Sequence, residues 1–509
     1  MMNRRAFAAA ALSGAAAGFA APASSSFYLP SPTLQGARLA AAGAVAVSIL
    51  DFGARGDGVA DDSAAIQAAA DSGAAVVVFP PGLYRAGRAL TPRSRQAWIG
   101  AGAEASILAA PAENADPPFN LIHRVGATED LAIVGLGFLG NVGGQTARDP
   151  DGQAAFAIYI RGALRRVRVE DCRFTAFGEK RRGKSLATGG GGVVLGPSAR
   201  HEDQALEDVA VRNCGFFGNG NVPGVYVAGG ARPGQRRRNV AIAGNRFSGV
   251  APDTRPQNCV YVLGGDGETR IDNVTVSDNR FDIDTYVDAC IELNWVEGFS
   301  VAGNMVTLTG AVAHTAGALL RDGCRGGSVA GNVFIDRSEQ PMTTAIVLVN
   351  FAHPGAIEDV AVTGNVARGF RWRGIAIDRG ARGVVASGNR VTGAPGAPIA
   401  EAFRLTDVED VLLTDNMVAE AALGVIVTPG DTPQSGARAA TISGNQFFRC
   451  GAGGAIVDCR GAVAGLTVVG NRVIEPSPAA QTFVRGRFAP SDGVVVAGNL
   501  AASLPELAP

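Results

Sequence analysis

Ten times between residues 239 and 500 the chain returns to one short line: NVAIAGNRF, NVTVSDNRF, GFSVAGNMV, GGSVAGNVF, DVAVTGNVA, GVVASGNRV, DVLLTDNMV, AATISGNQF, GLTVVGNRV and GVVVAGNL. The shared asparagines are Asn245, Asn279, Asn304, Asn332, Asn365, Asn389, Asn416, Asn445, Asn471 and Asn499, separated by 24 to 34 residues. A fixed motif at irregular spacing describes uniform coils joined by loops of variable length. Each line alternates apolar and polar residues, the period of a strand. A second short strand follows the asparagine, then a loop, then a third strand such as CVYVL, CIELN, AIVLV, GIAID or GVIVT. Three strands per coil predict an all-β, single-stranded, right-handed parallel β-helix. No segment sustains a period of 3.6, which excludes a helical solenoid, and a propeller blade needs a longer repeat of four strands.

The asparagines read as scaffold. A tight bend favours a residue that tolerates left-handed backbone, and coils stacked about 4.8 Å apart bring successive amides within hydrogen-bonding reach. Asn213 is expected to extend the series backwards, with Asp171 in the same place before it. Cys172 and Cys214 then occupy matching positions, as do Cys259 and Cys290. The cysteines number seven, an odd count with no C-x-x-C, so buried thiols are expected rather than bridges.

Composition excludes other classes. Of 509 residues 47% are hydrophobic and 18% charged, unlike a disordered chain. The 69 glycines follow no collagen period and suit many tight turns. A net charge of −1 argues against a general nucleic-acid binder. The opening MMNRRAFAAAALSGAAAGFAAPASSS holds too short and weak an apolar run for a membrane anchor, and NRRAF resembles the twin-arginine export signal. The expected layout is a signal peptide over 1–23, a linker over 24–48, a cap with the first coils over 49–120, repeats over 121–500 and a tail over 501–509, in a periplasmic or secreted protein.

The segment ILDFGARGDGVADDSAAIQAAADSGAAVVVFPPGLYRAG, residues 49–87, resembles the N-terminal segment of the pectate-lyase-like β-helix superfamily, with its polygalacturonase-like and tailspike-like members. Its own mechanics agree. A strand is expected to end at Asp51, and Gly56, Asp57 and Gly58 turn the chain. Asp61 or Asp62 caps a short helix through Ile66 to about Asp71, and Gly73 stops it. That helix covers the otherwise open end of the stack. The stretch lacks the alternating oxygen ligands and closing glutamate of a calcium loop, and its D-F-G has no other kinase signature beside it.

In the superfamily the substrate groove runs along the strand after the variable loop. On that strand, alternation puts Tyr226, Tyr261, Glu292, Leu319, Val347, Ala376 and Arg404 on one outward column. Ala228, Leu263, Asn294, Arg321, Val349, Asp378 and Thr406 form the next. Tyr226, Tyr261, Glu292, Asn294, Arg321 and Asp322 then share a polar patch, with Asp284, Tyr286, Asp288 and His314 on loops beside it. The bland alternative is ordinary solvent-facing strand residues. Two basic loops, Lys180, Arg181, Arg182 and Lys184, then Arg232, Arg236, Arg237 and Arg238, are expected to overhang the same face and attract a polyanion.

Three functions fit. β-Elimination on a uronic-acid polysaccharide would use Tyr261 or His314 as base, with Arg321 and Asn294 at the sugar carboxylate. Calcium is a possible helper, through Asp284, Asp288 and Glu292. Hydrolysis would pair Glu292 with Asp322, Asp288 or Asp378. The third is glycan binding or an envelope role without turnover. The G-H-G and R-I-K motifs of polygalacturonases and the D-P-H-D of alginate epimerases are absent, so no catalytic set transfers from the family. A polysaccharide partner is expected, and a monomer and a homotrimer both stay open.

Overall fold

The computed structural model describes residues 45–110, 120–141, 156–177, 191–197, 200–219, 224–250, 258–265, 269–312, 314–338, 340, 342–351, 356–394, 396–430, 436–501, 504–505 and 507–508. Their strands form three sheets of 17, 16 and 14 strands. One coil shows the plan. Ile271–Ser277 lies in the first sheet, Arg280–Thr285 in the second and Ala289–Asn294 in the third. The chain then returns to the first sheet at Val296–Ala302, parallel to Ile271–Ser277 and in register with it. The fold is a parallel β-helix. Among the described residues no helix is long and apolar enough to cross a membrane.

Alternation sends every second side chain inwards, so Val274 and Val276, Phe281 and Ile283, and Ile291 and Leu293 are all buried. In-register stacking puts like on like. Phe138, Phe174, Phe216, Phe247 and Phe281 form one column with ring centroids 5.0, 4.9, 4.7 and 4.8 Å apart. Each ring contributes about 2–3 kcal/mol of burial. All seven cysteines are buried and unbridged.

The asparagine ladder is present, with two corrections. Asn279 Oδ1 accepts from both the backbone N and Nδ2 of Asn245 at 2.9 Å, while Asn279 Nδ2 donates to Ile242 O and Asn304 Oδ1. The same pattern repeats to Asn499. The left-handed residue, however, is the one before the asparagine: Gly244 at φ 68°, Asp278 at 56° and Gly303 at 66°. A ladder amide has to point into the turn to reach both coils, whereas the corner side chain points out. Asn213 and Asp171 occupy that corner, each at φ 54°. Cys214 and Cys172 take the ladder position instead, and Cys214 N donates to Asn245 Oδ1 at 2.9 Å. The ladder therefore starts at Asn245. A further left-handed column, not expected from the repeat, runs through the first sheet at Asp130, Arg166, Asp208, Asn239, Asn273, Gly298, Gly326 and Asp359. Its exposed side chains also link rungs, as in Asn273 Nδ2 to Asn239 Oδ1 at 2.7 Å.

At the N-terminal end the first strand stops at Ser48, and Ile49–Phe52 is a 3-10 turn rather than strand, because Ser48 and Asp51 cap it reciprocally. The helix Ser63–Asp71 buries Ile66, Ala69 and Ala70. Asp62 stands at its N-cap without capping it; its carboxylate accepts from Arg55 N at 2.7 Å and Gly56 N at 3.2 Å, closing the preceding turn. Asp61 Oδ1 takes the helix side, accepting from Ser63 N at 3.0 Å and from Gly87 N at 3.1 Å.

Candidate functional site

The third sheet follows the variable loops, and its outward columns run in the register that alternation implied. Tyr226, Tyr261, Glu292, Leu319, Val347, Ala376 and Arg404 are consecutive partners. Ala228, Leu263, Asn294, Arg321, Val349, Asp378 and Thr406 are partners beside them. This face is not an open surface. Ala289–Asn294 is buried along its whole length, leaving Glu292 3% and Asn294 6% exposed although both point away from the core.

Glu292 is held on both oxygens. Asn258 Nδ2 donates to Oε2 at 2.8 Å, and Arg321 Nη1 donates to Oε1 at 3.1 Å. Asn258 is fixed in turn by Ala289 N, which donates to its Oδ1 at 3.0 Å. Burial raises the Glu292 carboxyl above the ordinary glutamate value, and the Arg321 charge and the Asn258 hydrogen bond only partly offset it. Tyr261 lies one rung away and stacks on Tyr226 at 5.2 Å between centroids and 13° between planes. Burial, the Glu292 charge and Tyr226 push its phenol well above the usual range, against the weaker pull of Arg321 and an Asn294 hydrogen bond. Tyr261 therefore stays protonated.

Among the described residues, seven buried side-chain polar atoms have no hydrogen-bond partner. Three of them, Asn294 Oδ1, Arg321 Nε and Asp378 Oδ1, lie on the second outward column. A fourth, Arg161 Nη1, stands on the same line, reached through Gly196 and Ala228. Buried polar atoms are almost always satisfied, so orphans gathered on one line point to a missing polar partner.

Other expected members fall elsewhere. His314 is exposed in the turn before Ala316–Arg321, at the opposite end of that strand from Arg321, with φ 65°. Asp284 is exposed at the end of a second-sheet strand, its Oδ1 accepting from Thr285 Oγ1. Asp288 is exposed and accepts from the Tyr286 hydroxyl. Asp284 lies on another sheet, and although the Asp288 charge acts on Glu292, no metal-holding group of three or more His, Cys, Asp or Glu occurs among the described residues. The expected calcium site does not fit this geometry. Asp322 is a corner residue whose Oδ1 accepts from Phe351 N at 2.5 Å. Arg237 is buried, donating to Gly229 O and Arg232 O, and so braces its loop instead of overhanging the groove. Lys180 and Arg182 lie outside the described residues.

Several residues were not anticipated. His123 and Tyr159 continue the Tyr226 column through Val194, with His123 and Tyr159 ring centroids 5.2 Å apart. Phe156 packs on Tyr159 at 5.8 Å. Their coils precede the first Gly-Asn line, so no repeat motif aligned them. Asn258 opens its strand and has no periodic signature. Phe351, an exposed ring, lies between the guanidiniums of Arg321 and Arg379 at 5.0 and 5.2 Å.

Residues 46–117 match the family model described as rhamnogalacturonase A/epimerase, pectate lyase-like. No curated protein matches the chain. Among solved structures, the N-terminal fragment of bacteriophage phi29 gene product 12 aligns with a TM-score of 0.57 at 15% identity, covering 86% of this chain and 72% of that one. The pre-mature form of the same product gives 0.57 at 15%, over 88% of this chain and only 58% of its own length. PfbA, a surface adhesin of Streptococcus pneumoniae, gives 0.49 at 16%, over 85% and 93%. At such identities the phage structures speak for the fold alone.

Proposed function

We propose that the third-sheet groove binds an extended acidic polysaccharide and cleaves it by β-elimination at Glu292 and Tyr261. The observation that carries this reading is the line of unsatisfied buried polar atoms beside a buried, doubly held carboxylate. Sugar hydroxyls donate and accept and ionised sugar carboxylates accept, so a uronate unit can satisfy Asn294 Oδ1 and Arg321 Nε together. The pectate-lyase-like match over residues 46–117 supports the same substrate class.

In elimination, a base removes the C5 proton, the C5 electrons form the C4–C5 double bond, and the C4–oxygen bond breaks with a proton delivered to the leaving oxygen. Glu292, raised toward the working pH, suits the base. Tyr261, raised further and kept protonated, suits the acid and not the base first expected of it. Arg321 would face the sugar carboxylate as negative charge develops there. Hydrolysis fits less well. It needs two carboxyls about 5–10 Å apart, yet Asp378 is about 14 Å along the stack from the Glu292 rung, Asp322 is engaged at its corner, and Asp288 is exposed and takes the Tyr286 hydroxyl.

The test is incubation with polygalacturonate and polymannuronate. An absorbance rise from the unsaturated uronate, lost in Glu292→Gln, is expected. New reducing ends without that rise would replace elimination by hydrolysis, and binding without either would leave a glycan-binding protein. Export is part of the proposal: replacing Arg4 and Arg5 together by Lys should retain the protein in the cytoplasm.

A further inference from the structure

Beyond Glu292 the first outward column turns apolar at Leu319, Val347 and Ala376 before charge returns at Arg404, while the second carries Arg321 and Asp378 on the outer two of those rungs, so only the Val347 and Val349 rung is apolar on both. The second charged group is built as tightly as the first. Glu401 accepts from Arg373 Nε at 2.8 Å and from Arg404 Nη1 at 3.3 Å. Arg404 Nε donates to Thr406 Oγ1 at 3.0 Å and stands 3.6 Å from Asp378 Oδ1. The guanidinium of Arg373 lies 3.7 Å over the Trp372 ring. Yet the group is incomplete. Asp378 Oδ1 and Arg371 Nε are buried without a hydrogen-bond partner.

Two ion-paired clusters thus share one face, each with orphaned polar atoms, with the apolar Val347 and Val349 rung between them. The spacing carries further meaning. Glu292 and Arg404 are four rungs apart on one column, about 19 Å by strand spacing. A pyranose unit in an extended chain is about as long as one rung is wide. Leu319 and Val347, both partly exposed, would meet the apolar faces of the intervening rings, while the polar groups at either end take hydroxyls and carboxylates.

We propose that Arg373, Asp378, Glu401 and Arg404 form a second, distal subsite for the same glycan, so that the protein recognises a linear acidic polymer spanning about five units and not a mono- or disaccharide. The proposal rests on the groove reading above and adds to it the length of the ligand. Engaging a second cluster within one chain adds affinity through effective concentration, without any change at the first.

The test is calorimetric titration of the full protein with oligogalacturonates and oligomannuronates of about two to eight units. Affinity is expected to change little among the shortest and then to tighten at least about tenfold once an oligomer spans both clusters. Arg404→Gln should flatten that dependence. Asp378→Asn, which keeps the side-chain volume, should do the same if Arg404→Gln disturbs folding. Glu292→Gln should instead weaken every length alike. Length-independent binding that still responds to Glu292→Gln would overturn the distal subsite and leave the groove reading standing. No binding at any length would overturn both.

Discussion

A carboxylate buried as deeply as Glu292 is stable only because Asn258 and Arg321 hold both oxygens, and that arrangement sets its chemistry. As a base it works only when ionised, so activity should fall as pH drops through a pKa above the ordinary 4.5. A pH–rate profile whose acid limb lay at or below that value would remove Glu292 from the role. The folding linkage runs the other way. With its folded pKa raised, Glu292 favours the native state most below the unfolded value, and this contribution is lost as pH rises through the folded pKa. Glu292→Gln should therefore reduce the pH dependence of thermal unfolding. Tyr261→Phe keeps the stack on Tyr226 and removes the acid, so turnover should fall by about 100-fold or more with little change in binding. Alternation placed Tyr261, Glu292, Asn294 and Arg321 on one face because period two fixes which side a strand residue occupies. It was silent on burial and on Asn258, since both depend on neighbours tens of residues away. His314 was misplaced because a turn's exit direction is not written in its composition.

At the level of the element, the ladder asparagines and the N-terminal cap show how local sequence was read in part. Asn332 accepts from Asn304 N and Nδ2 and donates to Val301 O and Asn365 Oδ1, all at 2.8–2.9 Å. Asn332→Ala leaves buried partners on two coils unsatisfied and should cost about 2–5 kcal/mol. Hydrogen exchange should show the loss first at the turns of those coils. A wild-type exchange pattern there would mean that water replaces the amide without penalty. In the cap, the adjacent aspartates divide their tasks. Asp62 closes the turn at Arg55 and Gly56 from a buried position, so Asp62→Ala should cost about 1–3 kcal/mol. Asp61→Ala removes bonds at the more exposed helix start and should cost about 1 kcal/mol. Chemical denaturation of the two variants checks the order. The sequence left the cap as Asp61 or Asp62, and only the path of the preceding turn decides which one reaches the helix.

For the whole molecule, each coil packs only on its neighbours, so stability is close to a sum of nearest-neighbour terms. Deleting residues 45–72, which removes the helix Ser63–Asp71, should expose Phe79 and Trp98 at the end of the stack and make the protein aggregate, as light scattering would record. An unchanged monodisperse preparation would show that the helix is not the cap. The amino-acid order by itself determined the three-strand coil, the parallel stack, the in-register columns and the capped N-terminus, because these follow from a period of two and from turn chemistry, which are local. Only the tertiary structure decided that Glu292 and Asn294 are buried although they point outwards, that the Tyr261 phenol is pushed above its usual range, that Arg237 braces a loop, and that Asp284 and His314 stand apart from Glu292. Depth, electrostatic environment and convergence are sums over coils distant in sequence, and no single coil contains them.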